Sequence, residues 1–378
     1  MSRAPSDALD RRQRAIRQVC AEQSLDALLV TSLPNILYLT NFTGSSAIVV
    51  LTAERLNVIT DFRYVTSVEA THGTPHECPG LDLVTVDGSY EATLATLLTS
   101  MGEARVGFEA AHLTVSRHDW LRATLGNENA PALVGTERVV EGARIRKDEY
   151  ELAALRTAAE MLSAVVPGAV EEVRRGRTER EVAMAIDWRI RSAGFSKTAF
   201  DTIVAAGPNG ALPHAQPGER RIGEHDLVVL DFGGVYDSYC VDLTRTVSVG
   251  QASSRARDVY DAVLGAHDRA IEAVRPGASR FAIDAAARDE LARRGLGDAF
   301  GHSTGHGLGI EVHEDPRICR RRPDIDVSGE LVTAGMVFTI EPGAYFPGWG
   351  GVRIEDDVAV TETGVAVLTT ATTELVEV

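Results

Sequence analysis

Acidic side chains belong on protein surfaces, so a carboxylate set against an apolar run needs a partner. Four stand in the C-terminal half of this 378-residue chain. Asp231 follows Leu227-Val228-Val229-Leu230, and Asp242 follows Tyr239-Cys240-Val241. Glu341 follows Val337-Phe338-Thr339-Ile340, and Glu355 follows Val352-Arg353-Ile354. Gathered in a core, these groups repel one another and are driven toward protonation unless counter-charge is supplied, and two divalent cations would balance them. A neutral imidazole would complete such a site. The glycine-rich stretch from Gly301 to Glu314 offers His302, His306 and His313, and its glycines let backbone and ligand come close.

Each feature also has a plainer reading. Asp231 suits a turn or cap, Asp242 could pair with Arg245, Glu341 before Pro342-Gly343 could be a turn acid, and Glu355 in Glu355-Asp356-Asp357 could be solvated. The histidines could be ordinary core or surface residues. A dinucleotide loop at Gly305-His306-Gly307-Leu308-Gly309 is excluded, because the third glycine is not at the required spacing and no apolar strand precedes it. What the plain readings leave unexplained is the joint pattern in one stretch of chain.

Such residues need strands to hold them. Leu227 to Phe232, Cys240 to Val249, Met336 to Ile340 and Val352 to Thr361 read as strands, interleaved with helices over about 147–174, 178–193, 255–274 and 279–294. Upstream, the patterns predict strands at Ala27 to Thr31, Ala47 to Thr52 and Leu56 to Thr60, with helices at Tyr64 to Ala70, Glu91 to Met101 and Ser116 to Leu125. The polar run Glu141 to Asp148 marks a boundary, giving two α/β domains, 1–143 and 144–378. No short-period repeat is visible, although the larger unit has room for a two-fold duplication.

Composition narrows the function. With 44% hydrophobic and 24% charged residues the chain is globular, and a net charge of −16 opposes binding to nucleic acid or anionic lipid. Apolar runs fall short of the ~20 residues of a membrane helix. The first twenty residues read as a charged amphipathic helix without secretory features, so a cytoplasmic location is expected. Cys20, Cys78, Cys240 and Cys319 form no C-x-x-C pair, which argues against a zinc knuckle or disulfide framework.

The chain resembles the metallopeptidases that cleave before proline, prolidase and aminopeptidase P, whose catalytic domain has the pita-bread fold. The resemblance is carried by Leu230-Asp231-Phe232-Gly233, Val241-Asp242-Leu243-Thr244-Arg245, the stretch from Gly301 to Glu314, Thr339-Ile340-Glu341-Pro342-Gly343 and Val352-Arg353-Ile354-Glu355-Asp356. Weaker likeness to the creatinase-type N-terminal domain lies in Asn35 to Thr40, Phe42 to Ser45 and Thr60 to Tyr64.

The resemblance implies an α/β (α+β) chain: a small creatinase-like domain followed by a pita-bread catalytic domain. It further implies that Asp231 chelates one metal, that His306 and Glu341 hold another, and that Asp242 and Glu355 bridge them. Mn²⁺ suits this oxygen-rich set, with Co²⁺, Fe²⁺ or Zn²⁺ as alternatives. By the same resemblance a bridging hydroxide attacks the carbonyl of an Xaa-Pro bond. His313 stabilises the oxyanion, His214 lies near the scissile bond, and Glu341 passes a proton to the leaving nitrogen. His302 lines the proline pocket, Arg353 orients a carboxylate or binds substrate, and Arg317 holds the carboxylate of a dipeptide. The basic segment after Arg317, from Ile318 to Asp326, contains Arg320, Arg321 and Arg322, which read plainly as a solvated loop. Dipeptidase activity is favoured over aminopeptidase activity on longer peptides, and a homodimer is expected. Methionine aminopeptidase is disfavoured by the N-terminal domain, and a creatinase-type C–N hydrolase would not need five metal ligands. A catalytically silent pita-bread binding protein is the alternative from another class.

Overall fold

A computed structural model describes residues 3–102, 104–126, 130–323 and 329–378. The chain divides into two units, Met1–Arg144 and Ile145–Val378.

In the first unit, α1 (Ser6–Glu22) leads into β1 (Ala27–Val30) and α2 (Leu33–Thr40), followed by the hairpin β2 (Ile48–Thr52) and β3 (Leu56–Thr60). Then come α3 (Phe62–Glu69), β4 (Leu81–Thr85), α4 (Tyr90–Thr99), β5 (Arg105–Glu109), α5 (Val115–Leu125), β6 (Ala132–Thr136) and α6 (Val139–Arg144). The strands form one mixed sheet in the order β4-β3-β2-β1-β5-β6. Alternating apolar residues such as Leu29, Val50 and Ile59 bury one sheet face against Leu94 and Leu98 of α4.

The second unit starts with α7 (Glu149–Glu172) and α8 (Glu179–Ser192), each opened by a capping box, from Asp148 and Thr178. Short β7 (Lys197–Thr198) and β8 (Ile203–Ala206) lie against β9 (Leu227–Tyr236), which pairs along its length with β10 (Tyr239–Ser248). After α9 (Ser254–Ala273) and α10 (Arg280–Arg293) the chain forms β11 (Gly305–Gly307), β12 (Glu314–Ile318) and β13 (Val337–Ile340). A separate hairpin, β14 (Gly343–Phe346) and β15 (Gly350–Arg353), precedes β16 (Asp356–Val360), β17 (Val365–Val367) and β18 (Val376–Glu377). Two sheets result, β18-β10-β9-β7 with β8 on β9, and β12-β11-β13-β16-β17. They meet where Thr244 of β10 bridges Glu355.

The expected strands are present, and β9 runs four residues further than the apolar pattern to Phe232 indicated. Asp231 and Asp242 lie inside β9 and β10 rather than at strand ends. Gly233 and Gly234 let β9 continue, because a Cβ on Gly233 would meet Val241 O at 2.4 Å and one on Gly234 the Phe195 ring at 2.4 Å. The segment Val352 to Thr361, read as one strand, breaks between β15 and β16 so that Glu355 can turn to Thr244.

The second unit also repeats itself. Both helix pairs turn on a glycine with positive φ, Gly176 (+85°) and Gly277 (+80°). Gly176 N–H donates to Ile222 O and Gly277 N–H to Val332 O, each at 2.8 Å. The next helices are capped by Thr178 and Ser279, which bridge Arg221 and Leu331. Each half has its own core, with Leu155, Leu162, Val182 and Ile186 under the first sheet and Val259, Val263, Ile283 and Leu291 under the second.

Candidate active site

The register of β9 and β10 assembles the first part of the site. Thr244 pairs with Asp231 and Asp242 with Gly233, and since side chains two apart share a face, Asp231, Asp242 and Thr244 point the same way. Arg245 points to the other face, where it donates to Asp356 Oδ1 at 2.8 Å, so the reading that pairs it with Asp242 is corrected. Glu355 is not solvated, and neither are Asp356 and Asp357: all three are at most 2% exposed. From the second sheet, β11 presents His306, whose cross-strand partner is Arg317, while Glu341 follows β13 with its N–H bound to Thr304 O at 2.7 Å.

The ten candidate site residues line one cavity of about 410 Å³: Asp231, Asp242, His306, Glu341, Glu355, His214, His302, His313, Arg317 and Arg353. Arg320, Arg321 and Arg322 stand exposed outside it, with Arg321 6.0 Å from the Phe281 ring, and positions 324–326 of that segment lie outside the described residues.

Hydrogen bonds fix the tautomers. His306 Nδ1 lies 3.0 Å from Gly307 O, which can only accept, so Nδ1 carries the proton and Nε2 keeps its lone pair. That Nε2 is 3.8 Å from Glu341 Oε1 and 3.9 Å from Asp242 Oδ2. Burial pushes His306 down to about 4, leaving the ring neutral. His302 is also pushed to about 4 by burial, aided by the Arg353 charge. Its Nδ1 donates to Ser303 O at 2.8 Å, so Nε2 accepts the Tyr345 hydroxyl, also at 2.8 Å. Tyr345 in turn accepts from Arg353 Nη1 at 2.9 Å, and Arg353 Nη2 donates to Asp231 Oδ2 at 2.5 Å. A continuous chain of hydrogen bonds therefore runs from Asp231 to His302.

Sequence reading passed over Tyr345, Thr244 and Asp357. Thr244 Oγ1 donates to Glu355 Oε2 at 2.6 Å and accepts from Arg353 Nε at 3.2 Å. Asp357 Oδ2 accepts the Asp242 N–H at 3.0 Å. Thr244 had a usable signal, since it stands two residues from Asp242 in a strand pattern.

The electrostatics call for a cation. Burial and the neighbouring carboxylates, chiefly Glu355 and Asp231, hold Asp242 well above the usual range. Burial and Glu341 do the same to Glu355, and burial pushes Glu341 up to about 8. Among the described residues, Asp231 Oδ1 and Asp242 Oδ1 are buried carboxylate oxygens with no hydrogen-bond partner. Asp242, His306 and Glu355 each place a ligand atom within 4.8 Å of the others. Unpaired carboxylate oxygens beside a lone-pair nitrogen fit divalent metal ions and would be costly otherwise.

Comparison with known proteins agrees. A model of metallopeptidase family M24 matches residues 153–362, and one of the creatinase/prolidase N-terminal domain matches 12–146. An uncharacterized peptidase of Bacillus subtilis is 36% identical over 361 residues, 96% of this chain and 98% of its own. Among solved structures, an Xaa-Pro dipeptidase from Bacillus anthracis superposes with a TM-score of 0.90 at 34% identity, covering 98% of this chain and 100% of that one. An X-Pro aminopeptidase from Thermotoga maritima gives 0.86 at 31% identity, again covering 98% and 100%.

Proposed function

Because the chain belongs to metallopeptidase family M24, we propose that it hydrolyses the bond before proline in dipeptides, as a metal-dependent Xaa-Pro dipeptidase. The observation that carries the reading is a set of four carboxylates, three of them buried and Glu341 half-buried, and one neutral imidazole around one cavity, with two carboxylate oxygens unpaired. In this reading Asp231, Asp242, His306, Glu341 and Glu355 would hold two divalent cations. The oxygen-rich set favours Mn²⁺. When bound, the cations supply a water acidic enough to act as nucleophile at neutral pH and positive charge for the scissile carbonyl.

The protein's own groups do the rest. His313 and His214, both exposed on the cavity wall, donate to the carbonyl oxygen as it gains charge. Glu341 takes a proton from the attacking water and returns it to the proline nitrogen, which cannot depart unprotonated. His302, braced by Tyr345 and edge-on to Phe300 with ring centroids 5.0 Å apart, forms a wall for the proline ring. An X-Pro bond has no N–H to offer, so a peptidase for it must recognise ring shape instead.

Arg317 supports the dipeptidase form. As the cross-strand partner of His306 it faces the same side as that imidazole, where a carboxylate directly following proline can reach it. The likeness to an X-Pro aminopeptidase keeps a second reading, in which longer peptides are accepted. Steady-state kinetics on Ala-Pro and Ala-Pro-Ala separate the two. We expect higher kcat/KM on Ala-Pro, and a KM raised roughly tenfold for Ala-Pro alone in Arg317→Leu, the size of a lost charged contact. Equal or better turnover of the tripeptide, untouched by that substitution, would establish the aminopeptidase form. A cytoplasmic homodimer belongs to the same proposal, and sedimentation equilibrium checks the dimer.

A further inference from the structure

The segment Phe300 to Thr304 carries His302 into the cavity and binds Glu341 through the Thr304 carbonyl, yet it belongs to neither helix nor strand. Its backbone groups must be held from elsewhere. One ion pair on α10 does this. Asp284, 1% exposed, accepts Arg288 Nε on Oδ2 at 2.6 Å and Nη2 on Oδ1 at 2.9 Å, and Oδ1 also accepts the Thr304 hydroxyl at 2.8 Å. Arg288 gives its outer N–H groups to the main-chain carbonyls of Phe300, at 3.2 Å, and of His302. Its guanidinium lies 4.2 Å from the centre of the Phe300 ring, which stands edge-on to His302. Neither Asp284 nor Arg288 lines the cavity.

The internal repeat supplies an independent observation. Asp187 lies as far beyond the Gly176 turn as Arg288 lies beyond the Gly277 turn. Asp187 accepts the Thr202 hydroxyl at 2.6 Å, and Thr202 stands between Asp201 and Ile203, both on the cavity wall. Each half therefore uses the same helical position to hold the segment that enters the cavity. In the second half the holder is a cation, and it grips the carbonyl of the cavity histidine itself.

We propose that Arg288, oriented by Asp284, is a positioning residue that holds His302 against the proline ring of the substrate and so sets the preference for proline. The proposal rests on the Xaa-Pro reading of the cavity. A planar fork can bind a carboxylate and two carbonyls together, whereas a lysine ammonium is a single point of attachment. Partners one step removed from a site commonly change affinity or activity about 10–100-fold.

The test is steady-state kinetics of the Mn²⁺-loaded enzyme on Ala-Pro and Ala-Ala, with metal content measured for each variant. Wild-type enzyme that fails to cleave Ala-Pro overturns the peptidase reading itself; the proposal is judged on an active wild type. Arg288→Lys is expected to keep its metal, raise KM for Ala-Pro at least tenfold with kcat within about threefold, and narrow the preference for Ala-Pro over Ala-Ala. His302→Ala combined with Arg288→Lys should lose no more than His302→Ala alone, since both changes act through one side chain. Guanidine added to Arg288→Ala should restore part of the KM, and if that variant does not fold, Arg288→Lys and the double variant decide. Unchanged KM in Arg288→Lys, loss of metal with an equal fall in kcat, or additive losses in the double variant would overturn the proposal.

Discussion

Protonation at single residues decides when cations can enter the cavity. In the cation-free protein, burial and mutual repulsion hold Asp242 and Glu355 above their ordinary range, and burial holds Glu341 at about 8. A carboxyl whose folded value exceeds its unfolded one contributes stability fully present below the unfolded value, near 4, and lost as pH rises through the folded value. The cation-free protein should therefore lose thermal stability between about pH 5 and 8. Added Mn²⁺ should raise Tm most at the upper end of that window and release protons as it binds. Thermal scans with and without Mn²⁺ across this range check it; a flat cation-free profile would contradict it. The four acids were legible in the sequence because a carboxylate in an apolar run is rare, whereas the choice among the histidines was implied by the family resemblance. Thr244 and Tyr345 were not, because a hydroxyl in a strand is commonplace and only the fold brings these two to Glu355 and His302.

Among the elements, the second histidine-bearing segment is, like the first, tied to a buried ion pair. Lys147 Nζ lies 3.0 Å from Glu314 Oε2, with the two side chains 1% and 7% exposed, and Glu314 Oε1 accepts the Glu311 N–H at 3.0 Å. This pair anchors the turn that presents His313. Lys147→Met removes one partner of this buried ion pair, which should cost about 3–5 kcal/mol. Urea unfolding should show a lower midpoint with an unchanged slope, and a shift worth less than ~0.5 kcal/mol would contradict the assignment. The long helices and β9, β10 and β13 were legible from their periodicity. The strands missed were β4 to β8, β11, β12, β14, β17 and β18, all two to five residues long and carrying little alternation of their own. The break at Glu355 was hidden because Val352 and Ile354 on one side and Val358 to Val360 on the other read as a single run interrupted only by acids, and only the bridge to Thr244 requires it.

Across the whole molecule, the site depends on two sheets of one unit joined at the bridge from Thr244 to Glu355, each backed by its own helix pair and core. The repeat that relates them escaped the sequence because it resides in backbone conformation and hydrogen bonds at Gly176 and Gly277 rather than in side-chain identity. No helix among the described residues is long and apolar enough to cross a membrane. The arrangement gathers four carboxylates that the single Arg353 guanidinium does not balance, and bound cations supply the remaining charge, so activity and metal content should rise and fall together. The decisive measurement is Ala-Pro hydrolysis alongside metal stoichiometry by mass spectrometry, for wild type before chelation, after chelation and after Mn²⁺ is restored, and for Asp242→Ala. The expected result is turnover that disappears on chelation and returns with Mn²⁺, while Asp242→Ala binds less metal and is inactive. Undiminished Ala-Pro cleavage by the chelated protein or by Asp242→Ala would contradict the account.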